Sequence, residues 1–126
     1  MHPSERRLAE ARGRWAEGAA ALFLRLKGYR ILARRAKTPV GEIDLVAVRA
    51  GVLAFVEVKA RRRRDQGVWA VAPHQARRIT RAARYWLAGQ PAFSGHDCRF
   101  DIIVVSPYQM PLHLVDVIHD EGRLRG

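Results

Sequence analysis

The chain has 126 residues, and 48% of them are apolar, enough for one compact domain with a real core. Its 23 Lys and Arg outweigh 12 Asp and Glu, a formal net charge of +11 that points to a polyanionic partner, most simply nucleic acid. A lone cysteine, Cys98, excludes an intrachain disulfide or thiolate zinc site, no apolar run is long enough to span a membrane, and Met1 to Arg7 lacks a signal core, so a reducing cytoplasm is expected.

Ser4 is the expected N-cap of a first helix running to about Lys27, with Gly28 as its stop. Leu8, Ala11, Trp15, Ala19, Leu22 and Leu26 recur at helical spacing and form its expected buried stripe. Glu17 lies opposite that stripe, among Gly13, Ala20, Ala21 and Leu24. A carboxylate among small residues is either placed for close approach to another element or simply solvated. Tyr29 to Arg35 reads as a first strand, and residues 36–40, with Pro39, read as a loop.

Residues 41–49 and 52–60 read as two strands joined by the two-residue turn Ala50-Gly51. Alternate residues of a strand share a face, so Glu42, Asp44, Val46 and Val48 point one way. Leu53, Phe55, Glu57 and Lys59 share a face of the second strand. The turn sets Arg49 against Val52, which brings Asp44 opposite Glu57 and Glu42 opposite Lys59. A half-exposed strand with a solvated Glu and Lys would be written the same way. Against that, the face also carries Phe55, Leu53, Val46 and Val48, and ionised carboxylates are costly to bury unless something compensates them. A divalent cation shared by the two acids is the simplest compensation. Lys59 stands in a chain that strongly favours Arg, and Lys is the residue whose charge responds to burial.

Arg61, Arg62, Arg63 and Arg64 open a charged loop next to Lys59 and are expected to grip a phosphate backbone, which positions a duplex without reading its sequence. A second helix is expected from about Pro73 to Ala88, with Ala76, Ile79, Ala83, Trp86 and Leu87 buried. Arg77, Arg81 and Arg84 form a separate basic side, either a backbone contact or a solvated face. After a Pro- and Gly-containing connection, Arg99 to Val105 reads as a strand buried on both faces and Leu112 to Ile118 as an edge strand. The polar tail from His119 is expected to be loose. The scattered His residues show no paired-ligand spacing. The order α-β-β-β-α-β-β makes a single α/β domain over residues 1–126, a mixed central sheet flanked by helices.

The segments Gly41-Glu42-Ile43-Asp44-Leu45 and Phe55-Val56-Glu57-Val58-Lys59 resemble the YraN family of small bacterial proteins. That family is related to the PD-(D/E)xK nuclease superfamily and is most similar to archaeal Holliday-junction resolvases. Ala16-Glu17-Gly18-Ala19-Ala20, Leu26-Lys27-Gly28-Tyr29-Arg30-Ile31-Leu32 and Arg99-Phe100-Asp101-Ile102-Ile103 extend the resemblance over most of the chain. It implies a restriction-endonuclease-like fold, Asp44 and Glu57 as metal ligands, Lys59 as the catalytic lysine and Glu17 as a further acidic contact. Glu42 is expected to pair with Lys59 rather than touch the metal. The chain departs from the family near the second helix, where Gln75 stands in place of a common Lys.

The expected activity is metal-dependent endonucleolytic cleavage of DNA, in particular branched or structured DNA such as Holliday junctions. Mg²⁺ or Mn²⁺ would be held by Asp44, Glu57 and the Val58 carbonyl, because hard cations take oxygen ligands. Symmetric cutting of two strands would call for a homodimer. The alternatives are a non-catalytic nucleic-acid-binding protein with the same fold, and a structural or adaptor protein with an RNA or ribosomal partner.

Overall fold

A computed structural model describes residues 2–63 and 73–118. The elements run α1 (Pro3–Leu26), β1 (Arg30–Thr38), β2 (Gly41–Arg49), β3 (Val52–Ala60), α2 (Pro73–Ala88), a short 3₁₀ turn (Pro91–Phe93), β4 (Asp97–Val105) and β5 (Leu112–Leu114). The five strands lie side by side in chain order, β1-β2-β3-β4-β5. All neighbours are antiparallel except β3 and β4, which run parallel. A parallel pair needs a crossover, and α2 lies within it. This is the mixed α/β sheet that the order of elements predicts. The tail from His119 and Arg64 both lie outside the described residues.

The β2–β3 hairpin forms as its turn chemistry dictates. Ala50 and Gly51 both take positive φ (50° and 78°), as a type I′ turn requires. The ladder then runs from Arg49↔Val52 to Leu45↔Val56 in the expected register. Alternation sends the two faces of the sheet to different helices. Leu45, Ala47, Ala54, Val56, Ile103 and Val105 pack against Ala16, Ala20 and Leu24 of α1. Val46, Leu53, Phe55, Phe100 and Ile102 pack against Ala76, Ile79 and Ala83 of α2. The run Phe100 to Val105 is buried without a break, because β4 is covered on both sides.

Helix α1 differs from its sequence pattern. His2, not Ser4, is the N-cap: its Nδ1 accepts from the Ser4 amide at 3.2 Å, and Glu5 reciprocates by accepting from the His2 amide at 3.3 Å. The buried face is Ala16, Glu17, Ala20, Ala21 and Leu24. The large residues of the expected stripe, Leu8, Trp15, Leu22 and Leu26, are 50–79% exposed. The physical reason is size: alanines let the helix backbone lie close on the strands, and a stripe of Leu and Trp would hold it away. Pro3 to Arg14 is exposed throughout. Helix α2 buries Ala76, Ile79 and Ala83, with Trp86 and Leu87 packed beside them, as its periodicity predicts.

The β1–β2 pair is irregular at a register shift between Ile31 and Ala33 and again at Arg35. Ala33 and Ala36 pack on the α2 side although three residues apart, and so do Ile43 and Val46. Leu45, between the latter two, packs on the α1 side. Alternation therefore slips at Arg35, whose φ is +50°, and at its neighbour across the ladder, Asp44. A non-glycine residue in this region costs about 1 kcal/mol or more.

A charged network fastens β5 to the sheet. Asp101 is fully buried. It accepts from Arg99 Nε and Nη2, both at 2.9 Å, from His113 Nε2 at 2.8 Å and from the Asp116 amide at 2.9 Å. Arg99 also donates to the Tyr29 hydroxyl at 2.6 Å, and Lys27 Nζ lies 2.6 Å from His113 Nδ1. An ammonium only donates, so His113 Nδ1 accepts from Lys27 and Nε2–H donates to Asp101. Burial alone would raise the Asp101 carboxyl, but the His113, Arg99 and Asp116 hydrogen bonds outweigh it and hold the carboxyl below the usual carboxylate range. The stability it contributes is present above about pH 4 and is lost as pH falls through the depressed folded value. Asp101→Asn is expected to cost about 3 kcal/mol near neutral pH, because it leaves the half-buried Arg99 without its charge partner. Urea denaturation at pH 7 and pH 3 checks this: the difference between variant and wild type should shrink at the lower pH.

Candidate functional site

The slip at Arg35 and Asp44 builds the site. Beyond Leu45↔Val56 the β2–β3 ladder stops, and the Asp44 side chain takes over: its Oδ2 accepts from the Val58 amide at 2.8 Å. Asp44 and Val58 line a cavity of about 480 Å³ on the α1 side of the sheet. Helix α1 contributes Glu10, Gly13, Arg14 and Glu17, which recur at i, i+3, i+4 and i+7. Strands β1 and β2 add Arg35, Lys37 and Glu42. Carboxylates and cations therefore alternate around one opening.

Glu17 is buried, so it is the close-approach residue and not a solvated one. Arg35 Nε donates to both of its oxygens, at 2.9 and 3.2 Å, and Arg34 Nε stands 3.5 Å away. The positive φ of Arg35 goes with this pairing across from β1 to α1. Glu57 and Lys59, two residues apart, pair with each other at 3.0 Å. Alternation from Phe55 carries both to the α2 side of β3, whereas Val58 and Ala60 pack toward α1. Lys59 thus gives its ion pair to Glu57. Glu42 lies across the ladder from Lys37, in the cavity with Asp44.

The Asp44 carboxyl is pushed up to about 6. Burial is the main cause, and the negative charges of Glu57 and Glu17 add to it; the Val58 hydrogen bond and the Lys59 charge oppose it. Asp44, Glu57, Glu17 and Lys59 are therefore close enough to act on one another, although only Asp44 and Glu17 share the cavity wall.

Among the described residues, no three acidic, His or Cys side chains converge into a ready-made cation cage. The donor set still fits Mg²⁺ or Mn²⁺ bound in the open manner, through one or two carboxylates completed by water and substrate phosphate. A half-buried carboxylate raised mainly by burial, with negative neighbours adding to it, is the kind of group that a cation would relieve. Val58 and Glu57 are the adjoining residues able to supply further oxygens.

The arginines divide. Arg61 donates its amide to the Val105 carbonyl at 3.0 Å and its Nη1 to the Ala60 carbonyl at 2.9 Å. Arg61 and Arg62 line a second cavity on the other flank of α1. Arg77, Arg81 and Arg84 are exposed on α2, in the opposite layer from the Asp44 cavity. Sequence reasoning missed Glu10, Arg14, Arg35 and Lys37. Their signal was the acid-and-base face of α1 around Gly13, overshadowed by the larger Leu and Trp stripe. Arg35 was hidden because the first strand runs on past it to Thr38.

Fold and cavity together define a small α/β protein with a cleft of mixed charge where its central strands part. No helix among the described residues is long and apolar enough to cross a membrane. The chain belongs to the uncharacterised protein family UPF0102, whose model matches residues 16–105, and this bears out the resemblance to YraN. It is 52% identical over 110 residues to a UPF0102 protein of Rhodopseudomonas palustris (strain BisB5), covering 87% of this chain and 84% of the relative. A UPF0102 protein of Parvibaculum lavamentivorans is 52% identical over 101 residues, 80% of this chain and 76% of the relative. One of Maricaulis maris is 49% identical over 108 residues, 86% of this chain and 85% of the relative.

Because the folded Asp44 carboxyl titrates near 6, above its ordinary value, its proton stabilises the fold at low pH, and that stabilisation is lost as pH rises through about 6. Asp44→Asn keeps an acceptor for the Val58 amide and removes the charge. In the presence of a chelator it is expected to gain on the order of 2 kcal/mol over wild type at pH 8 and little at pH 4. Denaturant unfolding at the two pH values measures the difference.

Proposed function

We propose that this protein is a metal-dependent endonuclease that hydrolyses phosphodiester bonds in DNA, with branched or otherwise structured DNA as its substrate. The observation that carries the reading is the Asp44 carboxyl, set with Glu17 and Glu42 in one cleft and pushed up to about 6, mainly by burial. Perturbed groups of this kind gather at functional sites. Asp44, Glu57 and the Val58 carbonyl would hold Mg²⁺ or Mn²⁺. When bound, such an ion supplies an acidified water and neutralises charge on the attacked phosphate.

The protein's own residues do the rest. Lys59, paired with Glu57 at 3.0 Å on the other face of β3, would act on the cleft through the reach of its charge, which opposes the rise of the Asp44 carboxyl. Arg14, Arg35 and Lys37 offset the repulsion between a polyanion and a cleft that also holds four carboxylates, Glu10, Glu17, Glu42 and Asp44. Arg35 fixes Glu17 in place by its paired hydrogen bonds. Two copies related by a two-fold axis would cut two strands symmetrically.

A non-catalytic nucleic-acid-binding protein is the second reading. It is favoured by the internal neutralisation of Glu17 by Arg35 and of Glu57 by Lys59, which leaves Asp44, among the described residues, without a cationic partner at hydrogen-bond distance. Calorimetric Mn²⁺ titration and cleavage of a four-way DNA junction separate the two. Wild type is expected to bind Mn²⁺ and to cut. Glu57→Ala should lose most of the heat, and Asp44→Ala should cut at least about a hundredfold more slowly while still binding the junction. No Mn²⁺ binding by wild type, with or without DNA, would remove the enzyme reading.

A further inference from the structure

Helix α1 has a groove on each flank, and only one is absorbed by the cleft at Asp44. The other is a cavity of about 400 Å³, within the range of small-ligand sites. Its wall is unlike the first. Among the described residues Arg12, Arg61 and Arg62 bring three guanidinium groups and no acid, and Trp15 lines the same groove with Val105 and Pro107. Trp15 is 50% exposed, far more than a tryptophan placed for packing. Arg61 is anchored by its two hydrogen bonds to Val105 and Ala60, which leaves the rest of its donor fork for a ligand.

We propose that this groove binds an unpaired nucleotide, with the base stacked on the Trp15 indole and its phosphate held by Arg12, Arg61 and Arg62. The inference rests on the nucleic-acid reading above and narrows it to substrates with a single-stranded segment. An aromatic face beside basic groups is the general chemistry of single-strand binding, because every base offers a π-face once it leaves the stack. A base inside a duplex cannot enter a concave pocket. The two grooves also share their framework. Val58 lines the first and Ala60 the second, two residues on along β3, roughly 7 Å. Glu17 lines the first and Trp15 the second, two residues apart on α1.

Trp15 also belongs to the exposed stripe with Leu8 and Leu22, so a second copy of the chain is the rival occupant. A two-fold contact centred on Trp15 would set Arg12, Arg61 and Arg62 of each copy against the same three groups of the other. That repulsion favours a polyanion over a second copy.

The test is fluorescence anisotropy of a labelled oligothymidylate and of a blunt duplex of equal length, in chelator so that no cleavage intervenes. Trp15→Leu is expected to weaken single-strand binding about tenfold or more while changing duplex binding less than about twofold, and Trp15→Phe should recover part of the loss. Arg12→Ala, an exposed change that leaves the core intact, should weaken the single strand and lower its salt dependence by about one counterion. Unchanged single-strand affinity in Trp15→Leu would overturn the proposal, as would equal loss for both probes. So would a wild-type dimer in sedimentation that Trp15→Leu dissolves. Failure of wild type to bind any oligonucleotide would remove this site together with the nucleic-acid reading. Trp15-dependent single-strand binding by a protein that cuts nothing with Mg²⁺ or Mn²⁺ would remove only the nuclease and leave this site standing.

Discussion

The close approach of α1 to the sheet governs the rest of the molecule. Ala16, Ala20 and Ala21 are almost wholly buried, so the helix backbone sits low over β3 and β4. Only at that separation does Glu17 reach Arg35 across β1. The same approach makes a furrow on each side of the helix, one lined by carboxylates with cations between them and the other by guanidinium groups around an indole. Larger side chains at the alanine positions would lift the helix, part Glu17 from Arg35 and make both furrows shallower. Cores tolerate such overpacking poorly.

The cleft shows how opposite charges can be kept in one small space. Asp44, Glu17 and Glu57 repel one another, and each has a different remedy: a backbone amide, a pair of arginines and a lysine. Burial makes each remedy necessary, since an unpaired carboxylate in a low-dielectric setting is costly. The remedy for Asp44 is a neutral donor, the Val58 amide, and burial holds its carboxyl well above the ordinary range. The positive φ at Arg35 is part of the same arrangement, because it lets both Arg35 and Asp44 leave the regular alternation. Departure from local rules at a functional place is the usual pattern in natural proteins.

Much of this was legible in the residues. The Ala50-Gly51 turn set the β2–β3 register as far as Leu45↔Val56, but the slip at Asp44 turns its side chain into the α1-side cleft instead of onto the shared face expected with Glu57 and Lys59. The uninterrupted apolar run of β4 announced its burial on both sides, and the α2 pattern named its core face. Glu17 stood out as an acid among small residues, and it does make the close approach that such a setting suggests. Three things were not legible. The buried face of α1 lies opposite its largest apolar residues, because closeness to the sheet outweighs the bulk of Leu8, Trp15 and Leu22. The slip at Arg35 depends on a left-handed backbone residue that is not glycine, for which sequence carries little signal. The Asp101 network joins residues 27, 29, 99, 101 and 113, which only the completed sheet brings together.

The first three turns of α1, Pro3 to Arg14, span roughly 18 Å with every residue exposed. Isolated helical turns are marginal in water, so this arm owes its order to the His2 cap and to the seated half that follows it. Yet Glu10, Arg12 and Arg14, which furnish parts of both furrows, stand on it. Fraying from the N-terminal end would therefore dismantle one wall of each furrow while the β-sheet core stayed intact. Any polyanion that engages these groups would also wind up the arm, and some of its binding free energy would go into that ordering.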